Sequence, residues 1–380
     1  MREILAFVPY VVRTALRARM RSLLTLLGAS LAMALFAFVR TVDDGVTTLS
    51  RRADQPVLVV FQDSRFCPLT SDLPLRYERE IRTVPGVAAV LPTLVFINSC
   101  RSNLDLVTLH GVTDDGLEEL YELDVLEGSI AAWRERGDAA LVGERLAERR
   151  HLRTGERVVL GKMDVQVAGI VRSTFAGVAN LAFVHLDQLS LARKRQGAAT
   201  QFLVRLADGA DPEVVAEAID QHFRSDEART DTKNMQAFVA AAISEITEVV
   251  GFARWLGYLA VLVIALVLAN TVFISAESRI GEMAVLETVG MTKARLMGLV
   301  ALEGTGLGLV GGVIGTGLVV ALLSIWPLTL GVEGYGIDMT PTPAVVAQSL
   351  LAALGVGVAA SIVPAFAVAR RPLHLGVKAE

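Results

Sequence analysis

Hydrophobic and polar positions are distributed on two different scales along this chain. Near its two ends lie long runs with almost no charge: residues 23–39, 255–276, 296–326 and 345–368. Each of the four lacks Lys and Arg throughout, and each approaches the roughly 20 apolar residues a helix needs to cross a hydrocarbon core about 30 Å thick. The first run makes only about 25 Å of helix, so its amphipathic lead-in and the following Thr41-Val42 complete the crossing. Between the first and second runs the pattern shortens to β-rich segments at residues 57–62, 87–90, 94–98, 104–110, 157–160, 164–171, 182–184 and 201–206. Residues 75–83 read as a helix closed by Pro85-Gly86. Asp211 is an N-cap with Pro212 in the first turn of a helix running to about Phe223. From Ala237 the pattern is helical and continues without a break into the second apolar run.

These periods predict an α-helical membrane protein with four transmembrane helices and a mixed α+β extracytoplasmic domain inserted between helices 1 and 2. Its expected divisions are an N-terminal amphipathic segment with the first span (1–42), the extracytoplasmic domain (43–250) and the second span (251–276). A connecting loop (277–295), the third and fourth spans (296–369) and a tail (370–380) follow. Composition agrees, with 53% hydrophobic residues and a mean hydropathy of +0.50, above the roughly 45–50% apolar content of soluble domains. A net charge of −4 gives no basic surplus for nucleic acid. Charge matters here by location. Arg2, Arg13, Arg17, Arg19 and Arg21 precede the first span, Arg279, Lys293 and Arg295 lie between the second and third, and Arg370, Arg371 and Lys378 follow the fourth. Cationic residues mark the cytoplasmic side, so both termini are expected in the cytoplasm and the chain in the plasma (inner) membrane. A signal peptide is the rival reading of the start, but no small-x-small cleavage pattern closes the run at Val39-Arg40-Thr41.

Sites of chemistry are sparse. The stretch from Gly155 to Lys162 has one residue too many between its glycines for a phosphate loop, and Met163 where a magnesium-binding hydroxyl belongs. His110, His151, His185, His222 and His374 show no metal-ligand spacing. Cys67 and Cys100 both fall in the extracytoplasmic domain, where a disulfide persists. Such a bridge would close a loop of about 34 residues and stabilise by roughly 3–4 kcal/mol; two separate buried thiols are the other reading.

The loop between the second and third spans is more informative. Ile280, Met283, Ala284, Leu286 and Val289 give one apolar face of a short helix, Gly290 stands at its C-terminal cap, and Thr292 is placed to cap the next. The helix reads either as an interfacial element on headgroups or as a docking surface. Within the third span, Glu303 reads as reaching the interface or as making a buried hydrogen bond. Gly304, Gly308 and Gly312 recur every fourth residue, and Gly311 with Gly315 repeats the spacing, stripping side chains for close helix contact. Packing within one chain and a seam between two copies both satisfy that pattern.

Arg279-x-x-Glu282-Met283-Ala-Val-Leu-x-x-Val-Gly290, followed by Leu302-Glu303 and Gly311-Gly312-x-x-Gly315, resembles the core signature of MacB/FtsX-type ABC transporter permeases. The start, Arg17-Ala-Arg-Met-Arg-Ser-Leu-Leu-Thr-Leu-Leu-Gly28, and the end, Ser361-x-x-Pro364-Ala-x-x-Val-Ala-Arg370-Arg371-Pro372, are similar to theirs. Between them, Ala140-Leu-Val-Gly-Glu-Arg-Leu-Ala147, Leu152-x-x-Gly155-Glu, Val167-Ala-Gly-Ile170 and Leu206-x-x-Gly209-Ala-Asp-Pro212 resemble the family's periplasmic core domain. Glu287, Thr288 and Met291 depart from residues common in relatives. The resemblance implies a non-catalytic permease subunit, paired with a second permease, most simply as a homodimer. A separate cytoplasmic ABC ATPase would carry the ATP and magnesium, so no cofactor is expected in this chain. Arg279, Glu282, Met283, Leu286, Val289 and Gly290 are then the expected ATPase-coupling residues. Such permeases pass ATP-driven closure through their helices to the outer domain, and the near absence of ionisable residues in the spans fits that mode.

Three functions follow as expectations. One is a transporter subunit that exports or extracts a lipid, lipoprotein, peptide or drug, with a periplasmic adaptor or effector left open. The second is a signalling module, similar to the cell-division branch, that activates a cell-wall hydrolase. The third is a membrane-anchored receptor with no ATPase.

Overall fold

The computed structural model describes residues 19–64, 70–99, 106–160, 163–175, 177–326, 328–332 and 335–370. Cys67, Cys100, the arginines before residue 19 and the basic residues after Arg370 lie outside the described residues. The chain divides into two compact units. A helical unit takes the chain up to Asp44, Glu248–Trp326 and the chain from Thr340 onward; an α+β unit takes Gly45–Thr247 with Pro327–Met339.

In the α+β unit one ten-stranded mixed sheet holds most of the backbone. Its strands are β1 (Val57–Gln62), β3 (Val87–Ser99), β4 (Leu106–Val112), β5 (Asp124–Gly128), β6 (Ala139–Gly143), β7 (Arg157–Leu160), β8 (Met163–Arg172), β9 (Leu181–His185), β11 (Gln201–Leu206) and β12 (Thr230–Asn234). They run in the order β12-β1-β11-β3-β4-β9-β6-β8-β5, with β7 beside β8. The pairs β4–β9 and β6–β8 are parallel and the rest antiparallel. Short β2 (Leu73–Pro74) and β10 (Ala198–Ala199) pair apart from this sheet.

Val57 to Phe61 are all buried, which is why β1 reads as an unbroken apolar run rather than an alternation. The two segments expected at 87–90 and 94–98 are one strand, β3. Pro92 does not interrupt it, because the Thr93 carbonyl faces β11 and accepts from the Thr200 N–H at 3.0 Å. By alternation Pro92 faces the other side, where pairing with β4 begins only at Thr93.

Two cores flank the sheet. One packs β1, β3 and β11 against two helices, α2 (Tyr77–Ile81) and α7 (Pro212–His222), through Val60, Phe202, Ile81, Val215, Ile219 and Phe223. Helix α7 starts as its sequence requires, with the Asp211 carboxylate accepting from the Glu213 N–H at 2.9 Å. Tyr77 stacks on Phe223 with centroids 4.1 Å apart and donates its hydroxyl to the Ala228 carbonyl at 3.2 Å. Burial, reinforced by Asp226, pushes that hydroxyl up to about 12. The second core joins β4, β6, β8 and β9 to α5 (Glu144–Arg150) and α6 (Leu186–Arg193), with Val142, Leu146, Val165, Val184 and Leu189 fully buried. Between β4 and α5 in sequence lie the short helices α3 (Leu117–Tyr121) and α4 (Ile130–Arg134).

Edge strand β12 is tied to α7 by Asp220, which accepts from Thr230 Oγ1 at 2.7 Å, the Thr232 N–H at 3.0 Å and Thr232 Oγ1 at 2.6 Å. Burial raises the Asp220 carboxyl pKa while these hydrogen bonds oppose the shift. The connection between the third and fourth spans forms a hairpin of β13 (Thr329–Val332) and β14 (Tyr335–Asp338) that belongs to this unit. It lies beside β4 and the turn at Val178–Asn180, and it buries Ile337.

Among its described residues the helical unit contains four helices long and apolar enough to cross a membrane. They lie within α1 (Arg19–Arg52), α8 (Met235–Glu277), α10 (Lys293–Ile325) and α11 (Pro343–Arg370), with a short α9 (Ile280–Thr288) between α8 and α10. Helix α1 is longer than the expected short span, and α8 runs 43 residues without a break. Buried hydroxyls join α1 to α8 through Thr25 and Thr271 at 3.0 Å. At the other end, Arg40 donates to Asp43 and to Gln348, each at 2.8 Å, while Thr342 donates to Asp44 at 3.1 Å.

Candidate functional site

The glycines of α10 separate onto two neighbours. A Cβ at Gly304 would meet Ser361 Oγ at 2.2 Å, one at Gly308 would meet Gly357 Cα at 2.8 Å, and one at Gly312 would meet Ala353 Cβ at 2.2 Å. These three therefore face α11. Gly311 and Gly315 face α1, where a Cβ would meet Ala29 Cβ at 2.6 Å and the Ser30 carbonyl at 2.2 Å. Close packing inside one chain thus uses all five positions.

Helix α9 follows α8 after a single turn. Met283 on its inner side is buried with Val272, Ala276, Leu296, Val300 and Ala365, and Leu286, Met291 and Met297 close the margin. The opposite side exposes Glu282, Val285 and Val289, the last two at 61% and 81%. Of the expected coupling residues, Met283 is buried against the spans and Leu286 is half-buried at their margin. Val285 stands three residues after Glu282, about one helical turn along the same face.

Helix α9 ends in a Schellman turn. Gly290 has φ +105°, its N–H donates to the Glu287 carbonyl at 3.0 Å, and the Met291 N–H donates to the Leu286 carbonyl at 3.0 Å. Thr292 occupies the N-cap position of α10 with extended backbone, but its side chain makes no capping hydrogen bond.

Arg279 is drawn inward. It is the N-cap residue of α9, yet its side chain is only 8% accessible and pairs with Glu303 of α10, itself 6% accessible. Ser275 of α8 completes the group: its hydroxyl donates to Glu303 Oε1 at 2.7 Å and accepts from Arg279 Nη2 at 3.2 Å. Arg279 Nε donates to the Ser275 carbonyl at 3.4 Å. Glu303 is buried, and its carboxylate takes both the Ser275 hydroxyl and the Arg279 guanidinium. Ser275 was legible only as the residue four before Arg279 on the same helical face. Among the described residues, no group of His, Cys, Asp and Glu has metal-holding geometry.

Residues 22–222, over half of the chain, match the family of MacB-like periplasmic core domains, and residues 255–373 match the FtsX-like permease C-terminal family. The chain belongs to the MacB/FtsX-type permease family. It is accordingly a multi-pass membrane protein, a permease subunit of the ABC transporter kind, with an α+β extracytoplasmic domain between its first two spans. Two solved structures are similar to this permease in part. The periplasmic region of MacB from Actinobacillus actinomycetemcomitans is 11% identical over 50% of this chain and 92% of its own, with a TM-score of 0.39. The extracellular domain of the noncanonic ABC-type transporter YknZ from Gram-positive bacteria is 14% identical over 47% of this chain and 98% of its own, with a TM-score of 0.37. No curated protein matches the chain at a significant level.

Proposed function

We propose that this permease docks a separate cytoplasmic ABC ATPase on the exposed side of α9, through Glu282, Val285 and Val289. It transmits nucleotide-driven movement along α8 to the extracytoplasmic domain. The complex holds two permease copies and exports or extracts a lipid, lipoprotein, peptide or drug, with ATP and magnesium bound by the ATPase. The observation that carries this reading is the continuity of α8. Its 43 residues span about 64 Å at 1.5 Å per residue, roughly twice a hydrocarbon core. It begins directly after β12, where the Asn234 side chain accepts from the Ala237 N–H at 2.6 Å, and it ends one turn before α9.

Supporting the docking face is its composition: an acidic side chain beside two aliphatic ones on a helix already anchored by its other side. Glu282→Lys and Val285→Asp change that face without touching the buried cluster. Both are expected to insert at wild-type levels and to lower the amount of ATPase recovered with the purified permease at least tenfold. Wild-type stoichiometry together with wild-type stimulated hydrolysis in both variants would refute the docking assignment.

A further inference from the structure

We propose that Arg279, Ser275 and Glu303 form a buried ionic latch that positions α9 for force transfer. This rests on reading α9 as the ATPase-docking element. Stability alone does not account for the group. Glu303 lies ten residues into α10, about 15 Å along its axis, and is buried. A carboxylate and a guanidinium in such surroundings bear a heavy desolvation cost, and apolar residues of similar size often fold as well or better.

The geometry supplies a different reason. Arg279 opens α9, so its backbone moves with the first turn of that helix. Its guanidinium reaches Glu303 on α10 and the hydroxyl and carbonyl of Ser275 on α8. One planar group therefore ties three helices with directional bonds. Apolar contact through Met283 holds α9 close to the spans but leaves it able to roll about its own axis, whereas the fork fixes the roll. At the far end the Schellman turn at Gly290 fixes the exit. Held at both ends, α9 cannot rotate under a push on Glu282, Val285 and Val289, and the push displaces α8 and α10.

The test uses the full chain in nanodiscs, alone and with its ATPase. Arg279→Leu combined with Glu303→Leu removes both charges and leaves no unpaired ion. Backbone amides of residues 280–289 are expected to exchange at least tenfold faster than in the wild type, while those of residues 305–320 stay unchanged. ATPase remains bound, since the exposed face is intact, but its stimulation falls at least tenfold. Wild-type exchange and wild-type stimulation in this double variant would show the pair to be mere filling and overturn the latch. If the double variant does not insert, Arg279→Lys decides: it keeps the charge and loses the fork, so tenfold faster exchange supports the latch and wild-type exchange overturns it. Should the wild-type chain recover no ATPase, the docking reading fails, and the exchange measurement on the chain alone still settles whether α9 is latched.

Discussion

Asp138 sits between Arg157 and Arg136, and the hydrogen bonds they donate, Arg157 first, hold its carboxyl down at about 2. Because the folded value lies below the ordinary 3.8, the stabilisation is complete above about pH 4 and is lost as pH falls toward 2. Both partners are substantially exposed, with side chains 32% and 53% accessible, so solvent screening keeps the contribution below about 1 kcal/mol. Asp138→Asn should accordingly flatten the acid limb of stability and change little at neutral pH. Urea unfolding followed through Trp133, in a chain carrying Trp255→Phe and Trp326→Phe, checks this. An unchanged slope between pH 4 and 2.5 would show the cluster to be idle. At this scale the sequence was only partly informative. The capping role of Asp211 was legible because its acceptor and donor are two residues apart. Arg279 read as a cytoplasmic-side cation and, by resemblance, as a coupling residue; its pairing with Glu303 was not legible, because the packing of α10 against α8 brings Glu303 to it and local pattern does not encode that.

At the scale of elements, the glycine pattern of α10 predicts opposite effects at neighbouring positions. Gly312→Ala places a Cβ 2.2 Å from Ala353 Cβ, so α11 must move, at about 1–3 kcal/mol. Gly306→Ala and Gly317→Ala meet nothing within 4 Å and relieve the conformational freedom of a helical glycine, a gain of about 0.5–1 kcal/mol. The midpoint of detergent-induced unfolding should fall for the first and hold or rise for the other two; a fall for all three would place Gly306 and Gly317 in a seam between copies. The repeat itself was visible in sequence, but not that it serves two partners, since assigning Gly311 and Gly315 to α1 requires knowing which helix lies on which side. Strands tell a similar story. β8 was legible because Val165, Val167 and Val171 recur at the strand period, and β11 because Phe202, Leu203 and Val204 form a short apolar run. β6, with Ala139, Ala140 and Gly143 among its five residues, carries little strand propensity and is held by burial on both faces. β12, Thr-Asp-Thr-Lys-Asn, is polar as a sheet edge tolerates, and so resembles a loop.

At the scale of the whole molecule the decisive feature is a helix that serves both units: α8 is counted with the α+β unit up to Thr247 and with the helical unit from Glu248. Its unbroken helical period was the clearest long-range statement in the sequence, and it makes the proposed transmission testable at one residue. Gly251 lies just past that boundary and a Cβ there meets nothing within 4 Å, so Gly251→Ala should be silent or slightly stabilising. Gly251→Pro removes one N–H from the helix ladder and drives its ring against the carbonyl four residues earlier, costing about 3 kcal/mol locally and kinking the rod. Neither change touches the buried cluster around Met283, the exposed side of α9 or the two cores of the sheet. Insertion, domain folding and ATPase stoichiometry should therefore survive in both variants. What the proline variant should lose is the link: addition of a non-hydrolysable ATP analogue to the purified complex should alter amide exchange across β12 and the first turns of α8 in the wild type and in Gly251→Ala, but not in Gly251→Pro. An unimpaired response in the proline variant would mean that movement reaches the domain by another route, with α1 and the β13–β14 hairpin as the remaining covalent connections between the two units.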